Sequence, residues 1–123
     1  MTRNGDVVRS ILDRMFSGDP TVFDDNAGLA DVKKSSALIR AFPDLTQTVV
    51  QQVVEGDKVA THSIMRGTND GALFGRSPTG KRIEFQFLSV VRVEHDRIVA
   101  YNSAVDWLAI LTQLGLFAMA PQP

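Results

Sequence analysis

Cysteine is absent from the 123 residues, which removes disulfides, thiolate metal sites and thiol nucleophiles together. Histidine occurs twice, at His62 and His95, too few for a His-based metal cage. No apolar stretch approaches the length of a membrane span, and the opening MTRNGDVVRS lacks the apolar centre of a secretory signal, so a cytoplasmic protein is expected. Neither sign of charge dominates: 13 Lys and Arg stand against 14 Asp and Glu, a formal net charge of −1 with the signs interspersed. Such a surface carries no electrostatic footprint for nucleic acid or an anionic membrane. The glycines between Gly67 and Gly80 include no Gly-Lys-Ser/Thr string and lead into no helix, so they serve turns and not a phosphate loop.

The composition, 44% apolar and 22% charged, is that of an ordinary globular chain. A length of 123 residues suits one domain, 1–123, with a single core. Val7, Val8, Ile11, Leu12, Met15 and Phe16 recur at helical spacing, with Asp6, Arg9, Asp13 and Arg14 on the opposite side and Gly18 as the stop. Asp19-Pro20 predicts a short second helix through Phe23, and a third spans Leu29 to Ala41 until Pro43 forbids it. From Thr46 the period changes to two. TQTVVQQVV and KVATHSIMRG flank the turn Glu55-Gly56-Asp57, a third strand runs from Arg82 to Glu94, and His95-Asp96 turns it into a fourth, from Arg97 to about Val105. Asp106 is placed to cap a last helix that ends at Gly115. Three helices, a four-stranded antiparallel meander and a short helix make an α+β fold, with helices covering one face of a curved sheet.

Strand alternation predicts an inner face. It comprises Val59, Thr61, Ser63 and Met65 on the second strand, then Ile83, Phe85, Phe87, Ser89, Val91 and Val93 on the third. On the fourth it comprises Val99, Tyr101, Ser103 and Val105, while Glu84, Gln86, Arg92, His62 and Arg66 point outward. This inner face is aromatic and aliphatic with a few hydroxyls, which suits a small, mostly apolar molecule. Ile64, Leu88, Val90 and Ile98 make the outer face too apolar for full solvation, and the tail Leu116-Phe117-Ala118-Met119 also needs cover, so a homodimer is expected.

The order and spacing of several strings carry a family likeness. They are Phe42-Pro43-Asp44-Leu45, Glu55-Gly56-Asp57 with Val59, Arg66-Gly67-Thr68, Gly71, Gly75, Pro78-Thr79-Gly80-Lys81, Arg97-Ile98-Val99 and Gln113-Leu114-Gly115. Over about residues 38 to 116 the chain resembles the SnoaL-like polyketide cyclases of the nuclear-transport-factor-2-like superfamily. The resemblance implies a cystatin-like cone with a central cavity between helices and concave sheet, usually in a dimer. It also implies one of several activities on polyketide-like substrates: aldol ring closure, isomerisation, epoxide hydrolysis or cyclisation. Fold alone does not choose among them.

The chain departs from the pattern at three positions. The aspartate that serves as general acid/base in the aldol-type relatives falls on Ser103, its companion histidine on Ser89, and a first-helix tyrosine on Met15. A serine hydroxyl without a base cannot transfer protons near neutral pH. Between Phe23 and Leu29 only Asp24-Asp25-Asn26-Ala27-Gly28 remains, so the cavity mouth is expected to be open or closed by a partner chain, with Asn26 a candidate for a family asparagine. The expected substrate-binding residues are Met15, Ser63, Met65, Phe85, Phe87, Ser89, Tyr101 and Ser103, and the catalytic candidates are Tyr101, Ser103 and Asp106. Asp106 has two readings, helix cap or displaced general base polarised by burial. Three functions follow. One is a cofactor-independent enzyme of cyclase, isomerase or lyase type that closes a ring by shape and hydrogen bonding. The second is a ligand-binding protein without catalysis, and the third is a proton-transfer or epoxide-opening enzyme built on Asp106.

Overall fold

A computed structural model describes residues 3–116. The apolar stripe of the first helix, α1 (Arg3–Phe16), buries Val8, Ile11, Leu12, Met15 and Phe16, and Gly18, at φ 86°, ends it. Each such side chain withdrawn from water contributes roughly 1.5–3 kcal/mol before entropy is counted. Asp19 accepts the backbone N–H and the hydroxyl of Thr21, and α2 (Val22–Asp25) follows. The predicted single helix from Leu29 to Ala41 is three pieces. These are a 3-10 turn (Ala27–Leu29), α3 (Ala30–Ser35) and α4 (Ala37–Ala41). The break falls at Ser36, whose hydroxyl accepts from Ile39 N and so caps a new helix in place of continuing the old one.

The four strands are β1 (Thr46–Glu55), β2 (Lys58–Thr68), β3 (Arg82–Glu94) and β4 (Arg97–Val105), an antiparallel meander in the order β1-β2-β3-β4. Burial along β3 alternates without a fault: Ile83, Phe85, Phe87, Ser89, Val91 and Val93 are buried, and Glu84, Gln86, Leu88, Val90, Arg92 and Glu94 are exposed. Val59, Thr61, Ser63 and Met65 share that inner face from β2. Register shifts occur at Val49/Gln51 in β1 and opposite Arg92/Val93 in β4. Bulges of this kind bend and twist a strand.

The β4 bulge corrects two expectations. Tyr101, Ser103 and Val105 pair with the inward residues Val91, Ser89 and Phe87, but Val93 pairs with Ile98, so Ile98 and not Val99 faces the core, fully buried. Ile98 therefore does not belong to the outer apolar face. Asn26 explains the shift. Its amide donates to Val22 O at 2.7 Å and accepts from Ile98 N at 2.8 Å, clamping the turn after α2 onto β4. A Cβ on Gly28 would lie 2.6 Å from Ala100 N, so only glycine lets this segment lie so close. Asn26 is thus a structural clamp, and the short 24–28 segment folds down on β4.

Between β2 and β3 the chain is anchored by buried Asn69. Its side chain donates to Ala41 O and Gly71 O and accepts the N–H and hydroxyl of Thr79. From this base a two-residue turn projects: Leu73 and Arg76 exchange both backbone hydrogen bonds, with Phe74 (φ 49°) and Gly75 (φ 75°) between them. Asp106 accepts from Ala109 N and caps α5 (Trp107–Gln113), which ends before Gly115 at φ 73°. Of the tail expected to need cover, Leu116 packs against the core and residues 117–119 lie outside the described residues.

Candidate functional site

Where α3 and α4 pass over the sheet they stand off from its β4 side and leave a pocket of about 370 Å3. The sheet contributes Phe87, Tyr101, Ser103 and Val105, and the helical side contributes Val32, Leu38 and Ile39 among others. Phe16, from the end of α1, meets Phe87 edge to face at 5.3 Å. The remaining wall is aromatic: Trp107 at the start of α5 and Phe74 from the projecting turn, their rings 5.2 Å apart.

Of the substrate-binding residues expected from alternation, Phe87, Tyr101 and Ser103 line this pocket. Ser63, Met65, Phe85 and Ser89 face the same side of the sheet and Met15 belongs to the buried stripe of α1, but all five lie in the closed core, each at most 3% exposed, and are not part of the pocket wall. The correction has a packing cause. Alternation identifies a face, but Phe16 against Phe87 and Phe42 against Phe85 fill the β2–β3 half of that face. Only the β4 half is left hollow. Ser63 is hydrogen-bonded to Gln47, whereas the Ser89 hydroxyl has no partner among the described residues.

Sequence reasoning missed Phe74, Trp107 and the contribution of α3 and α4. A phenylalanine beside a glycine in a polar loop was a visible signal for the first of these. Val32, Leu38 and Ile39 read as the buried side of the third helix, but no local pattern shows that this side walls a pocket.

The chemistry of the pocket is narrow. Among the described residues that line it, none carries a carboxylate, imidazole, ammonium or guanidinium group, and Tyr101 is its one titratable side chain. Burial pushes the Tyr101 phenol up to about 12, partly opposed by a hydrogen bond with Ser103, so the phenol is neutral at physiological pH. Two hydroxyls two residues apart on one strand face can donate hydrogen bonds to an oxygen, but neither can take up a proton near pH 7. Asp106 does not line the pocket. Its carboxylate caps α5, and the residue lines a different hollow, of about 470 Å3, on the outer face. That groove crosses all four strands through Gln51, His62, Leu88 and Ala104, and His62 Nε2 is 2.8 Å from Gln86 Oε1 within it. No three His, Asp or Glu side chains among the described residues cluster as metal ligands.

A bulge-bent antiparallel meander carrying helices and a pocket on its inner face defines the α+β cone class. The model of the SnoaL-like polyketide cyclases matches residues 2–114, and the chain belongs to that family. No curated protein matches it in sequence. Among solved structures, IdmH of Streptomyces antibioticus, provisionally a polyketide cyclase, is 27% identical with a TM-score of 0.74, over 93% of this chain and 99% of that one. AclR of Streptomyces galilaeus, provisionally a hydroxylase, is 20% identical with a TM-score of 0.80, over 97% of this chain and 85% of that one. A provisional polyketide cyclase of Acidithiobacillus ferrooxidans is 19% identical with a TM-score of 0.80, over 95% and 97% of the two chains.

Proposed function

We propose that the protein is a cofactor-independent cyclase that folds a flexible, mostly apolar polyketide-like substrate into a ring within the inner pocket, without a carboxylate. The observation that carries this reading is the pocket wall itself: aromatic and aliphatic surface, Tyr101 and Ser103, and no group that titrates near neutral pH. Family membership and the provisional cyclase assignments of the solved relatives support the substrate class. Holding a flexible chain in a near-reactive conformation lowers the barrier through entropy, which depends on shape and not on pKa. The substrate's own enol attacks a carbonyl that the neutral Tyr101 phenol and the Ser103 hydroxyl polarise by hydrogen bonding. The carbon–carbon bond forms as the enol O–H breaks, and that proton passes through water to the carbonyl oxygen, so no protein base takes part. The absence of a proton acceptor equally favours a second reading, a binding protein that retains the cone without catalysis. The Asp106 reading draws no support from a carboxylate engaged in capping α5.

The partner in this proposal is a second copy of the chain, seated on the outer face. Leu88 and Val90 stand there two residues apart on β3, 48% and 47% exposed.

Turnover of a linear poly-β-ketone thioester separates the readings. Tyr101→Phe should lose about 100-fold, the scale of one removed oxyanion donor. Asp106→Asn should stay within about tenfold, near 1.4 kcal/mol, with the melting temperature little changed because the asparagine oxygen caps α5 as well as the carboxylate does. A folded Asp106→Asn protein without turnover would move the chemistry to Asp106, and a wild type that binds the thioester without closing it would leave the binding reading.

A further inference from the structure

We propose that Phe74 and Trp107 form a specificity-determining rim that makes the inner pocket prefer flat, unsaturated ring ligands over saturated ligands of the same skeleton. The inference rests on the reading of that pocket as the ligand site and names the kind of ligand it selects.

Phe74 sits where the fold gives it no reason to be. Both central residues of its turn have positive φ, 49° at Phe74 and 75° at Gly75. Two-residue turns of this hand favour Asn, Asp or Gly at the first position, and a bulky side chain there is strained. Core burial does not compensate, because Phe74 is 65% exposed. Its ring contact is Trp107, at 5.2 Å and 48°.

The pair is held from both sides. Asn69 ties the base of the projecting turn to Ala41, Gly71 and Thr79. A Cβ on Gly71 would lie 1.9 Å from Arg40 O, so that base is in closest contact with the end of α4. Trp107 is fixed as the first residue of α5, behind the Asp106 cap and the hydrogen bond from Asp106 N to Gln86 O. A strained, exposed aromatic presented from a rigid base onto the rim of a pocket points to use by a ligand.

With Phe16, Phe87 and Tyr101, the pair brings five of the chain's nine aromatic side chains to one pocket. A centroid distance of 5.2 Å leaves no room for a third ring between them, so a ligand lies on their pocket side, against ring faces and edges. Each aromatic contact favours a flat π-system by about two- to tenfold in affinity beyond simple burial. A saturated ring of equal carbon count gains only the burial.

The test is calorimetric titration of the full chain at pH 7 with 2-naphthol and with decahydro-2-naphthol, which share a skeleton and a hydroxyl. The saturated alcohol is the more hydrophobic, so burial alone predicts that it binds more tightly. The rim predicts the reverse, with 2-naphthol favoured about fivefold or more. Phe74→Leu and Trp107→Leu keep apolar bulk, and each should bring the ratio of the two affinities toward one. Ser103→Phe, which fills the pocket, should remove both ligands. No preference in the wild type, or a preference unchanged in Phe74→Leu, overturns the rim while the pocket reading stands, provided Ser103→Phe abolishes binding. If neither alcohol binds the wild type, or binding survives Ser103→Phe, the rim and the pocket reading fall together.

Discussion

Tyr101 is the chain's one tyrosine, so its ionisation can be followed without overlap. Burial raises its pKa from 10.0 to about 12, which means the folded protein holds the phenolic proton where the unfolded chain has released it. The unfolded state binds fewer protons between those two values, so stability is full below pH 10 and falls as pH rises toward 12. The loss is about 1.4 kcal/mol per pH unit, or roughly 2–3 kcal/mol across the window. Absorbance of the phenolate should show a midpoint near 12, and a midpoint near 10 would mean that Tyr101 is solvated and the pocket open at its floor. Tyr101 and Ser103 were legible as inward residues because period-two alternation is local. Met15, Ser63, Met65, Phe85 and Ser89 were legible only as far as their face. Whether a face is hollow or filled depends on which helix lands on it, and strand spacing does not encode that.

Among the elements, β1 to β4, α1 and α5 follow closely from local signals: glycines at the turns, Asp106 before an apolar helical run, and uninterrupted alternation from Ile83 to Val93. The bulge in β4 was not legible. It shifts one strand end by a residue, and such a shift exchanges faces, as with Val99 and Ile98. Its cause lies 72 residues earlier, in the hydrogen bond that Asn26 accepts from Ile98 N, and in Gly28 lying against Ala100. Asn26→Ala should therefore destabilise by about 2 kcal/mol, leaving a buried N–H and a carbonyl without partners. Urea unfolding measures this, and a loss below about 0.5 kcal/mol would show that the clamp does not set the bulge. The long helix expected over Leu29–Ala41 failed for a comparable reason, since helical periodicity is blind to the Ser36 hydroxyl capping Ile39.

For the whole molecule, the two sheet faces divide the work. The inner face carries the core and the pocket. The outer face carries Arg66 paired with Glu84, and between the charged ends an apolar band with Leu88 and Val90 half exposed. Self-association over that band is expected, so sedimentation velocity at micromolar concentration should show a dimer and Leu88→Lys should shift it to monomer. A wild type that is monomeric throughout would contradict it. No described helix is long and apolar enough to cross a membrane.

Ring closure in the proposed pocket needs no ionisation near neutrality. The most direct test is the pH dependence of the acceleration, kcat divided by the uncatalysed rate of the same poly-β-ketone thioester, from about pH 5.5 to 9. With Tyr101 titrating only near 12, the ratio should be flat across that range. A limb of about tenfold per pH unit, the slope of one essential acid or base, would overturn this and place the chemistry outside the inner pocket.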